Sequence, residues 1–187
     1  AGQGLADVLA GALGDLSSGA LQRLADGLLL VQRLGADALP FGGQRCRSRI
    51  HGLLPPSVDG HALHHRLSHR FNMYRYDDSD VFNLHTDGSW PGYSLNEDRT
   101  EMQVWDERIC SGLTMLLYLN GPADGVVGGN TRLYKRDGTS VDVSPVKGSA
   151  LFFRHGFGLD SVRHVGCVVH GPVSKYVARI NVMYIAP

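Results

Sequence analysis

The chain has 187 residues, enough for one domain with a full-sized core, and its 43% hydrophobic content excludes a disordered chain. Lys plus Arg equals Asp plus Glu at 18 each, so the zero formal charge gives no broad electrostatic reason to expect nucleic acid or a membrane surface as a partner. Cys46, Cys110 and Cys167 are scattered and odd in number; they form neither a disulfide framework nor a CxxC zinc site, and they favour a reducing compartment, cytoplasmic or nuclear. The apolar run in "LADGLLLVQRLG" is too short to span a bilayer. No basic segment opens the chain as a signal peptide would, and a start at "AGQGLADV" without methionine suggests a trimmed chain.

Residues 1–35 show helical spacing. Leu5, Val8, Leu9, Leu13 and Leu16 fall on one stripe, and Leu21, Leu24, Leu28 and Val31 on a second, capped by Ser17 or Ser18 and ended by Gly35. Such stripes bury against a sheet. "PPSVDGHALHHRLSHRF" reads as a short helix; it would put His61, His65 and His69 on one face, where they could bind a metal, although a solvated face is the commoner outcome. From Phe71 the apolar period shortens toward two. "FNMYRY", "SGLTMLLYLN", "NTRLYKR", "TSVDV", "SALFFRH", "RHVGCVV" and "SKYVARINVMYIA" read as strands, and Asp137-Gly138 marks a hairpin. The expectation is a helical support region over residues 1–70 and a β core over 71–187, together one domain: mainly β with N-terminal helices, built as a sandwich or barrel. The stretch from Gly88 to Arg108 reads as a long binding loop carrying Trp90, Tyr93 and Trp105.

His85 and Asp87 are two positions apart, so an extended chain would aim both side chains to one side. A neutral imidazole and a carboxylate suit a divalent first-row metal, and one more histidine completes a facial triad with open coordination positions. A hydrogen-bonded His-Asp pair is the plain structural alternative. The later strands offer His164 or His170 as the third ligand, and Lys175 and Arg179 as cations for an anionic co-substrate.

These residues carry a resemblance. "YRYDDSDVFNLHTD", "LTMLLYLN" with "GGNTRLY", "VSPVKGSALFFRH", and "HVG" followed by "KYVARINVMY" occur in the order found in the iron(II)/2-oxoglutarate-dependent dioxygenases, and the segment from Tyr74 to Tyr184 is similar to their prolyl 4-hydroxylase-like branch. The resemblance implies a double-stranded β-helix, a jelly roll of the cupin kind. It implies iron(II) on His85, Asp87 and His164. It also implies 2-oxoglutarate held by Lys175 and Tyr118 at the far carboxylate and by Tyr76 at the near one, with Thr131 lining the pocket. O2 would be the oxidant and ascorbate the reductant. The implied reaction is hydroxylation of a prolyl residue in a protein or peptide, with Trp90 and Tyr93 touching the substrate. The alternatives are the same chemistry on a small molecule such as a free amino acid, or a non-catalytic cupin-like binding domain. The chain departs from the pattern in two places. His164 to Lys175 is one residue longer than usual, which reads as an insertion around Gly171-Pro172, and Val165 replaces the acidic residue after the distal histidine. His170 with Arg179 therefore remains a rival ligand and anchor pair, and His155 a further contender.

Overall fold

The computed structural model describes residues 21–24, 28–31, 54–156 and 158–187. Their strands are, in chain order, β1 (Leu21–Leu24), β2 (Leu28–Val31), β3 (Ser57–Val58), β4 (His61–Leu63), β5 (Phe71–Tyr76), β6 (Phe82–His85), β7 (Tyr93–Leu95), β8 (Met102–Val104), β9 (Ile109–Tyr118), β10 (Val127–Gly128), β11 (Thr131–Tyr134), β12 (Ser140–Val143), β13 (Ala150–Arg154), β14 (Arg163–Gly166), β15 (Val169–His170) and β16 (Lys175–Ile185). The larger sheet runs β1-β2-β13-β9-β16, with β5 and then β4 on the far edge of β16 and β3 beyond β4. The smaller sheet runs β12-β11-β14-β6. All pairings are antiparallel, and the two sheets form a β-sandwich of the jelly-roll kind.

Period-two alternation explains both the core and the site. In β9, Leu113, Met115 and Leu117 enter one apolar cluster with Ala150, Phe152, Ala178, Ile180, Val182 and Tyr184. The alternate positions face the smaller sheet: Tyr118, Leu151, Phe153 and Val177 pack with Leu133 and Val143 between the two sheets. The same alternation turns Lys175 and Arg179 of β16 and Leu116 of β9 into one cavity. The longest strands are thus apolar on one face and polar at chosen points on the other.

Two helical expectations give way to strands. The stretch whose Leu21, Leu24, Leu28 and Val31 spacing predicts a helix is a pair of strands, and β2 adds to β13 in the register Ala150↔Val31, Leu151↔Leu30, Phe152↔Leu29. An unbroken "LLLV" run satisfies either period, and the open edge of β13 decides it. The expected helix around His61 is instead the hairpin β3–β4, turned at Asp59 (φ 52) and Gly60 (φ 79). Two left-handed residues in succession are what a two-residue Asp-Gly turn requires, and they break the helical spacing of His61, His65 and His69. These histidines do not gather: the one cluster of potential metal ligands among the described residues lies elsewhere. The first expected stripe, Leu5 to Leu16, lies outside the described residues. The Gly88–Arg108 stretch is not an open loop, since β7 pairs with β8 inside it.

Leu117 is fully buried at the centre of the larger sheet. Leu117→Ala is expected to cost about 2–5 kcal/mol in urea unfolding, through lost transfer energy plus a residual cavity. Leu159→Ala, at a residue 96% exposed, is expected to stay within about 0.5 kcal/mol of the parent.

Candidate metal centre

Sheet register brings the two histidines together. β14 lies between β11 and β6, and His164 is the direct cross-strand partner of His85. Antiparallel partners present their side chains on the same face, and here the imidazole centroids are 4.1 Å apart. Asp87 follows just past the end of β6. Its Oδ1 is 3.5 Å from His85 Nε2 and its Oδ2 is 3.9 Å from His164 Nε2. One donor atom from each of the three residues lies within 4.8 Å of the others.

The proton positions suit metal binding. His85 Nδ1 lies 2.6 Å from the Asn83 carbonyl and His164 Nδ1 3.1 Å from the Val162 carbonyl. A carbonyl can only accept, so each Nδ1 carries the proton and each Nε2 keeps its lone pair. Burial pushes His164 down to about 4, with Asp87 pulling the other way, so this ring is neutral near pH 7.

Asp87 is the most constrained group. Burial alone would raise its pKa, but the Thr114 hydroxyl, the Arg179 guanidinium and the nearby His164 outweigh burial and hold it below the usual carboxylate range. Thr114 Oγ1 donates to Asp87 Oδ2 at 2.6 Å, and Arg179 Nε donates to the same oxygen at 3.1 Å. Thr114 spends its proton on Asp87, so it accepts from His155 Nδ1–H at 2.7 Å. His155 Nε2 then accepts from Ser111 Oγ at 2.7 Å, and Ser111 Oγ accepts the Trp90 backbone N–H at 2.9 Å. Both nitrogens of His155 are occupied by this chain. His155 is therefore not placed as a ligand; it supports the carboxylate through Thr114. His170 lies in β15, exposed and opposite Val127, away from the cluster. Arg179 is at the centre, without His170.

Next to the three donors is a cavity of about 110 Å³ lined by Tyr76, Leu116, Thr131, Lys175 and Arg179 among others. Lys175 is 3% exposed and donates to the Gly129 carbonyl. Its Nζ lies 5.3 Å from the Tyr76 ring centroid and 5.6 Å from that of Tyr118. Gly129 has φ 67, and a Cβ there would meet Lys175 Cδ at 2.9 Å, so the glycine leaves room for the lysine stem. Burial pushes the Lys175 ammonium down to about 8. Burial likewise raises Tyr76 to about 12 and Tyr118 still higher, so both phenols keep their protons. Tyr118 donates to Thr131 Oγ1 at 2.8 Å. Trp90 and Tyr93 line a separate, smaller pocket that shares Arg179 with this cavity. Sequence reasoning missed Thr114 and the supporting role of Arg179; the only signal was a polar residue on the inward phase of an otherwise apolar strand.

The donors fit a divalent first-row metal: two imidazoles with free Nε2 atoms and an ionised carboxylate, beside a cavity that leaves coordination positions open. The buried ammonium, with two protonated phenols near it, fits an acidic co-substrate.

No family model matches the chain, and no curated protein is a significant match. Among solved structures, a 2OG-Fe(II) oxygenase family oxidoreductase from Burkholderia pseudomallei is similar at a TM-score of 0.50 and 10% identity, over 95% of this chain and 77% of that one. A Pseudomonas putida prolyl-4-hydroxylase matches at a TM-score of 0.41 and 19% identity over 63% of this chain, and the viral collagen prolyl hydroxylase of Paramecium Bursaria Chlorella virus-1 at 0.39 and 19% over 64%. The chain spans 52% and 63% of the lengths of those two proteins. The Burkholderia likeness speaks for the fold alone: the chain shares that protein's β-sandwich.

Thr114→Val removes the hydroxyl that holds Asp87. It is expected to weaken manganese(II) binding by about 10–100-fold in isothermal titration, and His164→Ala by more. His170→Ala is expected to leave binding unchanged. Equal losses in the Thr114 and His170 variants would contradict the ligand assignment.

Proposed function

We propose that the protein is an iron(II)- and 2-oxoglutarate-dependent dioxygenase that hydroxylates a C–H bond, with a prolyl residue of a protein or peptide as the substrate. The observation that supports this most is the His85, Asp87 and His164 donor set sharing one cavity with the buried Lys175. A binding domain without chemistry would have no use for both. The prolyl reading rests on the motif resemblance between Tyr74 and Tyr184, together with the aromatic pair Trp90 and Tyr93 at the neighbouring pocket.

Bound iron(II), with 2-oxoglutarate and O2, would supply the oxidising power for hydroxylation, and ascorbate would keep the metal reduced. The chain's own residues do the rest. His85 and His164 present Nε2 because backbone carbonyls hold their Nδ1 protons. Asp87 keeps its charge and orientation through Thr114 and Arg179. Lys175 supplies a cation for the far carboxylate of 2-oxoglutarate beside the neutral Tyr118 phenol, whose hydroxyl is held by Thr131 Oγ1, and Tyr76 offers a neutral hydroxyl to the near carboxylate. Apolar walls from Leu116 and Val177 exclude water, which strengthens each of these contacts. A small-molecule substrate is the second reading; the smallness of the Trp90–Tyr93 pocket, about 30 Å³, favours it.

Anaerobic addition of iron(II) and 2-oxoglutarate is expected to give the weak visible metal-to-ligand charge-transfer band of the chelate. His85→Ala should abolish it, and a parent protein with no band at saturation would sink the proposal. Lys175→Ala is expected to weaken 2-oxoglutarate by about 2 kcal/mol or more. Because Lys175 binds an anion as the ammonium and titrates near 8, affinity should be flat below that pH. Above it, Kd should climb toward about tenfold per pH unit, since each binding event must first take up a proton. Titrating 2-oxoglutarate into the manganese(II) protein from about two pH units below that value to about two above it reads this directly.

A further inference from the structure

The pocket beside the metal centre holds two unmatched polar atoms on one strand. Arg179 Nη2 and Asn181 Oδ1 are buried without a hydrogen-bond partner, and both residues line this pocket. They are two apart on β16, so they share a face. Arg70 also lines the pocket, with its guanidinium 5.5 Å from the Trp90 ring centroid and 5.2 Å from that of Tyr93. No acidic residue is among the described residues that line it. Two guanidinium groups therefore face one small space with no anion.

The charge count of the occupied site points the same way, and it rests on the function proposed above. A ferrous ion with Asp87 carries one positive charge; 2-oxoglutarate with Lys175 carries one negative charge. These cancel and leave the guanidinium of Arg179, whose side chain is only 12% exposed and which shares Asp87 with the metal donors, as the net charge of the site. A buried cation that shares its one carboxylate with a divalent metal is incompletely neutralised, and a neutral amide would satisfy its Nη2 without offsetting its charge.

We propose that this pocket receives a carboxylate of the substrate, bound by Arg179 Nη2 and Arg70, while Asn181 Oδ1 accepts an N–H from the same substrate. The guanidinium spans the distance between the two functions: its Nε holds Asp87 and its Nη2 holds the substrate. The C–H bond offered to the metal is therefore close to a free carboxylate. Free proline and a chain-terminal proline both supply that chemistry; an internal prolyl residue does not.

The test uses the full chain loaded anaerobically with iron(II) and 2-oxoglutarate, and reads the change in the charge-transfer band as each probe is titrated. The probes are L-proline, glycyl-L-proline and the carboxamide of each. The acids are expected to perturb the band and to bind at least ten times more tightly than their amides. L-Proline alone doing so indicates a free amino acid, and glycyl-L-proline doing so indicates a chain end. Asn181→Asp, which sets an internal carboxylate beside Arg179, is expected to reduce the acid-to-amide ratio at least tenfold. A normal band with amides binding as well as acids, or with neither class perturbing it, overturns the carboxylate proposal and leaves the dioxygenase reading standing. Failure to form the band at all overturns that reading and this inference with it.

Discussion

The structure depends on a single buried carboxylate. Asp87 lies at the junction of the two sheets: Thr114 on β9 and Arg179 on β16 of the larger sheet hold it by hydrogen bonds, and His164 on β14 of the smaller sheet lies 3.9 Å from it. An ionised carboxylate so deep is tolerable only when its oxygens are occupied. Thr114 and Arg179 occupy Oδ2, and Oδ1 is left toward His85. The groups that offset the burial of Asp87 also fix which oxygen faces the imidazoles. The contacts between the two sheets therefore also arrange the three candidate donors.

Strand alternation keeps this polar centre compatible with an apolar core. One face of β9, β13 and β16 is committed to Met115, Leu117, Phe152, Ile180 and Val182; the other face alternates packing residues with Thr114, Tyr118, Lys175 and Arg179. A cation such as Lys175 destabilises the fold through its desolvation, and its lowered pKa records that cost. Binding an anion there reverses the penalty. The chain from Asp87 through Thr114, His155 and Ser111 to the Trp90 backbone extends the same polar order out to the aromatic pocket.

Much of this was legible in the sequence wherever local chemistry and tertiary demand agree. The "FNMYRY", "SALFFRH" and "KYVARINVMY" runs are strands with the period-two patterning that identifies them, and Asp137-Gly138 does turn β11 into β12. Spacing alone placed His85 near Asp87. It could not choose among His155, His164 and His170, because that choice is made by cross-strand register: His164 falls opposite His85, His155 falls against Thr114, and His170 falls on an exposed edge opposite Val127. The helix expected across Leu21–Val31 fails for a related reason, since short apolar runs obey whichever neighbour offers hydrogen bonds. The Asp59-Gly60 pair is a turn signal that the even spacing of the following histidines masks.

The claim on which everything else turns is that His85 and His164 bind one metal through Nε2 together with Asp87. Pulsed electron paramagnetic resonance of the copper(II)-loaded protein counts coordinated imidazoles through their remote nitrogens. Two are expected in the parent, and one in either His85→Ala or His164→Ala. A parent signal from a single imidazole, or a His164→Ala spectrum unchanged from the parent, would contradict the account.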